Sequence, residues 1–62
     1  MKWINTAFKC RDIADLCRSD LIGAAIRVGE IFSCDGRYYV PWLPFSESEY
    51  EIGVQVVSKH IW

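Results

Sequence analysis

The sequence predicts an α+β domain: an N-terminal helical region, one long helix or two short ones, packed on a three-stranded antiparallel sheet. Three observations carry that expectation. A helical period runs from Trp3 to Val28, an Asp35-Gly36 pair sits between two β-prone runs, and residues 50–57 alternate.

The helical period is Trp3, Ala7, Cys10, Ala14, Cys17, Leu21, Ala24 and Val28, at alternating steps of four and three. Widened by Ile13 and Leu16, it is the apolar stripe an amphipathic helix needs to cover a core. Asn5 or Thr6 can cap its start, and Gly29 can take the left-handed conformation that ends it. Ser19-Asp20 offers a break, because both residues favour caps over helix interiors. One helix or two therefore stays open.

The second element is a hairpin. Residues 29–34 and 37–42 flank Asp35-Gly36, and a type I′ turn needs positive φ at both central positions. That register sets Cys34 against Arg37, Ser33 against Tyr38, Phe32 against Tyr39 and Ile31 against Val40. Pro41 lacks an amide hydrogen, so its strand is expected at an edge or leaving the sheet. One hairpin face then carries Ile31, Val40, Tyr38 and Trp42, the other Phe32, Tyr39, Val28 and Leu43.

The third element follows a turn at Leu43–Ser46. Tyr50, Ile52, Val54 and Val56 alternate with Glu51, Gly53 and Gln55, which reads as a half-buried strand, with residues 59–62 as its tail.

Length and composition bound the rest. With 62 residues, 52% hydrophobic and 24% charged, the chain is a single domain over 1–62 and not a disordered tail. It is too short for a Rossmann domain or a barrel, and a chain of this size buries only about 60% of its unfolded surface. No apolar run approaches the roughly 18 residues of a membrane span. Three cysteines, an odd number behind no secretory signal, point to a reducing, cytoplasmic setting in which thiols act as small hydrophobes.

Chemical motifs are sparse. His60 is the lone histidine and lies near the end, so a solvated side chain is expected there and no catalytic pair with a cysteine. Cys10, Cys17, Cys34 and His60 are spaced too widely for a structural zinc site, and core packing explains Cys10 and Cys17 more simply. Neither a metal nor a cofactor is expected, and no enzymatic activity.

A net charge of −1 disfavours nucleic acid as partner, because phosphate contacts dominate such affinity. Even so, residues 11–17, 26–32 and 35–41 together resemble phage excisionases over about half of the chain, through the end of a second helix and the wing. That resemblance implies a winged-helix DNA-binding protein, with Asp20–Arg27 as its recognition helix. It is the alternative function.

The leading function rests on aromatics. Tyr38, Tyr39, Trp42 and Phe45 fall within eight residues, followed by Glu47, Glu49 and Glu51. Helices can cover only one hairpin face, and tyrosine and tryptophan are enriched at contact sites. In an extended chain the three glutamates would point one way, about 6.7 Å apart. An aromatic centre with an acidic rim fits a basic host protein or complex. The chain resembles, in size and style, the small phage and mobile-element proteins that inhibit host machinery, anti-CRISPR proteins among them. A non-enzymatic protein-binding inhibitor acting by surface occlusion is therefore expected, with a homodimer formed through the second hairpin face as a third reading.

Overall fold

Asp35 and Gly36 both take positive φ, 53° and 76°, and form the hairpin tip that an Asp-Gly pair favours. In this computed structural model, which describes residues 2–61, the chain runs β1 (Ile4–Phe8), α1 (Arg11–Gly23), β2 (Arg27–Val28), β3 (Phe32–Cys34), β4 (Arg37–Leu43) and α2 (Glu47–Ser58). The class is α+β, helices on an antiparallel sheet, as the sequence predicts, but the sheet has four strands where three were expected. Cys34 pairs with Arg37, Ser33 with Tyr38 and Phe32 with Tyr39, also as expected.

Beyond Phe32 the register changes. Val28 pairs with Trp42 and Arg27 with Leu43, so residues 29–31 stand opposite only residues 40 and 41. One extra residue is a β-bulge, and it reverses the parity of everything before it. Val28, expected beside Phe32 and Tyr39, instead faces the core with Ile31.

The bulge also accommodates Pro41. Its carbonyl accepts from the Gly29 amide at 2.9 Å, so its nitrogen faces the bulged side, where one missing donor breaks no regular ladder. Pro41 consequently sits in the central strand and not at an edge: β4 lies between β1 and the β2–β3 side.

Residues 4–8 are a strand, contrary to the helical expectation. Ile4 pairs with Trp42, Thr6 with Val40 and Phe8 with Tyr38, antiparallel. Trp3 and Ala7 merely fell in phase with the stripe, whereas Ile4, Thr6 and Phe8 alternate inward. Asn5 and Thr6 therefore cap nothing. Cys10 takes the N-cap position of α1 without a side-chain hydrogen bond and is exposed, not part of the core.

The true stripe of α1 is Ala14, Cys17 and Leu21, all fully buried. The helix passes through Ser19-Asp20 unbroken and ends well before Gly29. Its end is a Schellman motif: the Ile26 amide donates to the Leu21 carbonyl at 3.0 Å and the Ala25 amide to the Ile22 carbonyl at 2.9 Å. Ala25 holds the left-handed position at φ 63°. Arg18 Nε then donates to the Gly29 carbonyl at 2.8 Å, fastening the helix to the bulge.

Residues 47–58 form a helix where alternation predicted a strand. The start explains why. Ser46 Oγ accepts from the Glu49 amide at 3.2 Å, and the Glu49 carboxylate accepts from the Phe45 amide at 3.0 Å. This variant of the capping box satisfies two donors that a helix start leaves free. Glu47 and Glu49 also favour the positive end of the helix dipole. The buried positions of α2 are Gly53 and Val57, four apart, whereas Ile52 and Val54 are exposed.

Both helices cover one face of the sheet. Phe8, Val40 and Trp42 from the strands meet Ala14, Cys17, Leu21, Ile26 and Val57 in a single cluster.

Candidate functional site

Alternation along β4 sends Tyr38, Val40 and Trp42 toward the helices and Arg37, Tyr39, Pro41 and Leu43 to the opposite side. Pairing adds Asn5 and Ala7 from β1, Arg27 from β2, and Phe32 and Cys34 from β3 to that outer side. Among the described residues no element packs over it.

Its centre is aromatic. The rings of Phe32 and Tyr39 stack across strands at 5.2 Å and 12°. Phe32 is 45% exposed. Gly29 and Pro41 lie beside the Trp3 ring, which is 49% exposed. At the far corner the Arg27 guanidinium lies 4.5 Å above the ring of Phe45, a cation–π contact that holds this exposed aromatic beside the sheet.

The residues expected to form one patch are divided by the structure. Tyr39 and Phe45 belong to the outer side. Tyr38 is half-buried and packs against the core. Trp42 is 2% exposed, donates from Nε1 to Thr6 Oγ1 at 3.1 Å and stacks on Tyr50, so it is a core residue and not a surface anchor. Glu47, Glu49 and Glu51 lie on a helix, which removes the extended acidic row. Glu49 is committed to capping, and the strands themselves carry Arg27 and Arg37 with no acid.

Phe32 and Arg27 are the members that the expected patch omitted. The signal for Phe32 was present, since it opposes Tyr39 in the expected hairpin register. Arg27 was hidden by the bulge.

The titratable groups lie elsewhere. His60 Nε2 is 2.7 Å from Asp20 Oδ2, which ties the end of α2 to α1; the histidine is only 16% exposed, not freely solvated. Burial, then the Asp20 charge, pushes the Cys17 thiol up to about 11. Cys10 and Cys34 are exposed free thiols. Among the described residues no three His, Cys, Asp or Glu side chains gather as metal ligands. No helix there is long and apolar enough to cross a membrane.

The class this geometry defines is a two-layer α+β domain with one open sheet face. It is not a winged helix, because only α1 precedes the hairpin and residues 24–28 are turn and strand. No family model, curated protein or solved structure matches the chain.

Proposed function

We propose that the protein is a non-enzymatic protein-binding module that works through the outer side of its sheet. The observation that supports this is the Phe32–Tyr39 stack, its Phe32 ring exposed and Tyr39 half-buried, at the centre of a face that neither helix covers. Flat aromatic centres with arginine beside them are the composition of energetic contact sites. Arg27 and Arg37 without a strand acid favour a partner surface that is apolar at its centre and acidic around it. This replaces the basic partner that an acidic rim implied. In this reading the protein acts as small phage and mobile-element inhibitors do, occluding a surface on a cytoplasmic host protein, and needs neither metal nor cofactor.

The test compares two variants in a pull-down from the source cell's lysate. Phe32→Ser with Tyr39→Ser strips the outer face, and Leu16→Ser changes an exposed apolar residue on α1. Both should keep the far-ultraviolet circular dichroism of the wild type. A partner captured by wild type and by Leu16→Ser but lost with the outer-face variant supports the reading. Capture that survives the outer-face variant overturns it. Retention on duplex DNA with a steep salt dependence would favour the nucleic-acid alternative instead.

A further inference from the structure

The two edges of the sheet are built differently. On the β2–β3 side the edge is interrupted by the bulge at 29–31 and offers only short segments of two and three residues. On the other side β1 runs unbroken through Ile4-Asn5-Thr6-Ala7-Phe8, with no charge, no proline and no bulge. Those are the devices by which sheet edges are ordinarily protected from other strands. Among the described residues β1 has a neighbour on its β4 side only. In an antiparallel ladder alternate residues turn both amide and carbonyl away from the partner, so β1 presents a row of unmatched donors and acceptors.

Beside this edge, α2 leaves a groove of about 450 Å³. Ile4 and Thr6 form its floor, and Tyr50, Val54, Ser58 and Ile61 form its wall. Tyr50 is 47% exposed, Val54 40% and Ile61 56%. The stripe is apolar and continuous, its base resting on the core residues Trp42 and Val57 and its rim left open.

The charges of α2 say what fits there. Glu47, Glu49 and Glu51 occupy its first half, and Lys59 follows its last turn with no acid between. An identical helix laid antiparallel sets acids against lysine at both ends. Laid parallel, it sets acids against acids. The helix is therefore complementary to itself in one orientation only.

We infer that the β1 edge and the groove along α2 are the seat of a second copy of this chain, docked about a two-fold axis normal to the sheet. The β1 strands pair antiparallel with Thr6 opposite Thr6, and Ile4 of one copy opposite Phe8 of the other. Residues opposite each other share a face, so both helical layers stay on the same side of a continuous sheet. The two α2 helices then cross the seam antiparallel. Tyr50 and Val54 of each copy cover the other's stripe, and Glu51 approaches the second copy's Lys59. Both outer faces are left free, so this dimer is independent of the binding surface proposed above.

Sedimentation equilibrium on the full chain across micromolar concentrations tests this. A concentration-dependent monomer–dimer equilibrium is expected. Val54→Glu, an exposed position that the fold does not need, should raise the dimer dissociation constant at least about 10-fold. Glu51→Lys and Lys59→Glu should each weaken the dimer, and the two together should restore it. Leu16→Glu and Phe32→Glu should leave it unchanged. Hydrogen exchange at the outward amides of β1 should slow as concentration rises. A monomer throughout the range overturns the inference. So does a dimer insensitive to Val54→Glu, one dissolved by Phe32→Glu, or a double charge swap that fails to restore association.

Discussion

The Trp42 indole lies against Gly53 so closely that a Cβ on that residue would overlap the ring. A helix interior ordinarily prefers alanine to glycine by up to about 1 kcal/mol. Here the preference is reversed. Gly53→Ala should cost about 2 kcal/mol, because the buried ring cannot retreat without disturbing the core. For a domain this small that lowers Tm by roughly 10 °C. The control is Gly23→Ala, where nothing lies within 4 Å of the added carbon. It should leave Tm unchanged or raise it. Equal effects at the two glycines would show that the indole does not set the packing of α2.

Ala25 occupies the left-handed position at the end of α1. An L-residue with a Cβ pays about 1–2 kcal/mol there, and glycine does not. Ala25→Gly should therefore stabilise the fold by about 1 kcal/mol in urea titration, despite the freer unfolded chain. A loss of stability would mean that the Ala25 methyl contributes packing.

Ser46 is the switch that starts α2. Ser46→Ala removes the acceptor for the Glu49 amide and should cost about 1 kcal/mol. The loss should appear as reduced helical circular dichroism and faster hydrogen exchange in the first turn. Were residues 50–57 a strand, the same substitution would leave both signals unchanged.

Cys17 makes stability depend on alkaline pH. Burial, with the Asp20 charge beside it, pushes the folded thiol up to about 11, above the ordinary cysteine range, so the folded chain keeps a proton that the unfolded chain loses. The contribution is complete below about pH 9 and is lost as pH rises toward 11, with a limiting slope of about 1.4 kcal/mol per unit. Urea titrations from pH 8 to 11 should show a decline that Cys17→Ala flattens relative to wild type. Under native conditions Cys10 and Cys34 should react rapidly with a thiol reagent, and Cys17 only on unfolding. Equal rates for all three would contradict the burial of Cys17.

The elements legible in the sequence are those whose signals are local and uncontested. Asp35-Gly36 declared the hairpin, and the 3–4 spacing of Ala14, Cys17 and Leu21 declared α1. Two misreadings came from periods that coincide over short stretches. Trp3 and Ala7 fell in phase with the stripe while Ile4, Thr6 and Phe8 alternated beneath it. Tyr50, Ile52, Val54 and Val56 alternated on a helix whose buried positions are Gly53 and Val57, and Ser46-Glu47-Ser48-Glu49 was the contrary evidence. The candidate site was legible by halves. Alternation sorted Trp42, Val40 and Tyr38 onto one face and Phe32 and Tyr39 onto the other. Proximity in sequence then drew Trp42 into a patch from which the pleat excludes it. The parity of Val28 needed the bulge, whose local mark, Gly29, served equally well as the end of the expected helix.

The pairing of β1 with β4 has a kinetic meaning. The hairpin closes over two residues, whereas the nearest β1–β4 pair, Phe8 with Tyr38, closes over α1, β2 and β3. Loop-closure entropy makes the second step costlier and later. During synthesis the first strand emerges with no partner and waits until most of the chain has followed. For that interval its only company is solvent, chaperones or other nascent chains, so the edge that seats the folded partner is also the segment most open to premature pairing. Low φ-values at Thr6 and Ala7 beside high ones at Ser33 and Tyr38 would establish that order; the reverse would refute it.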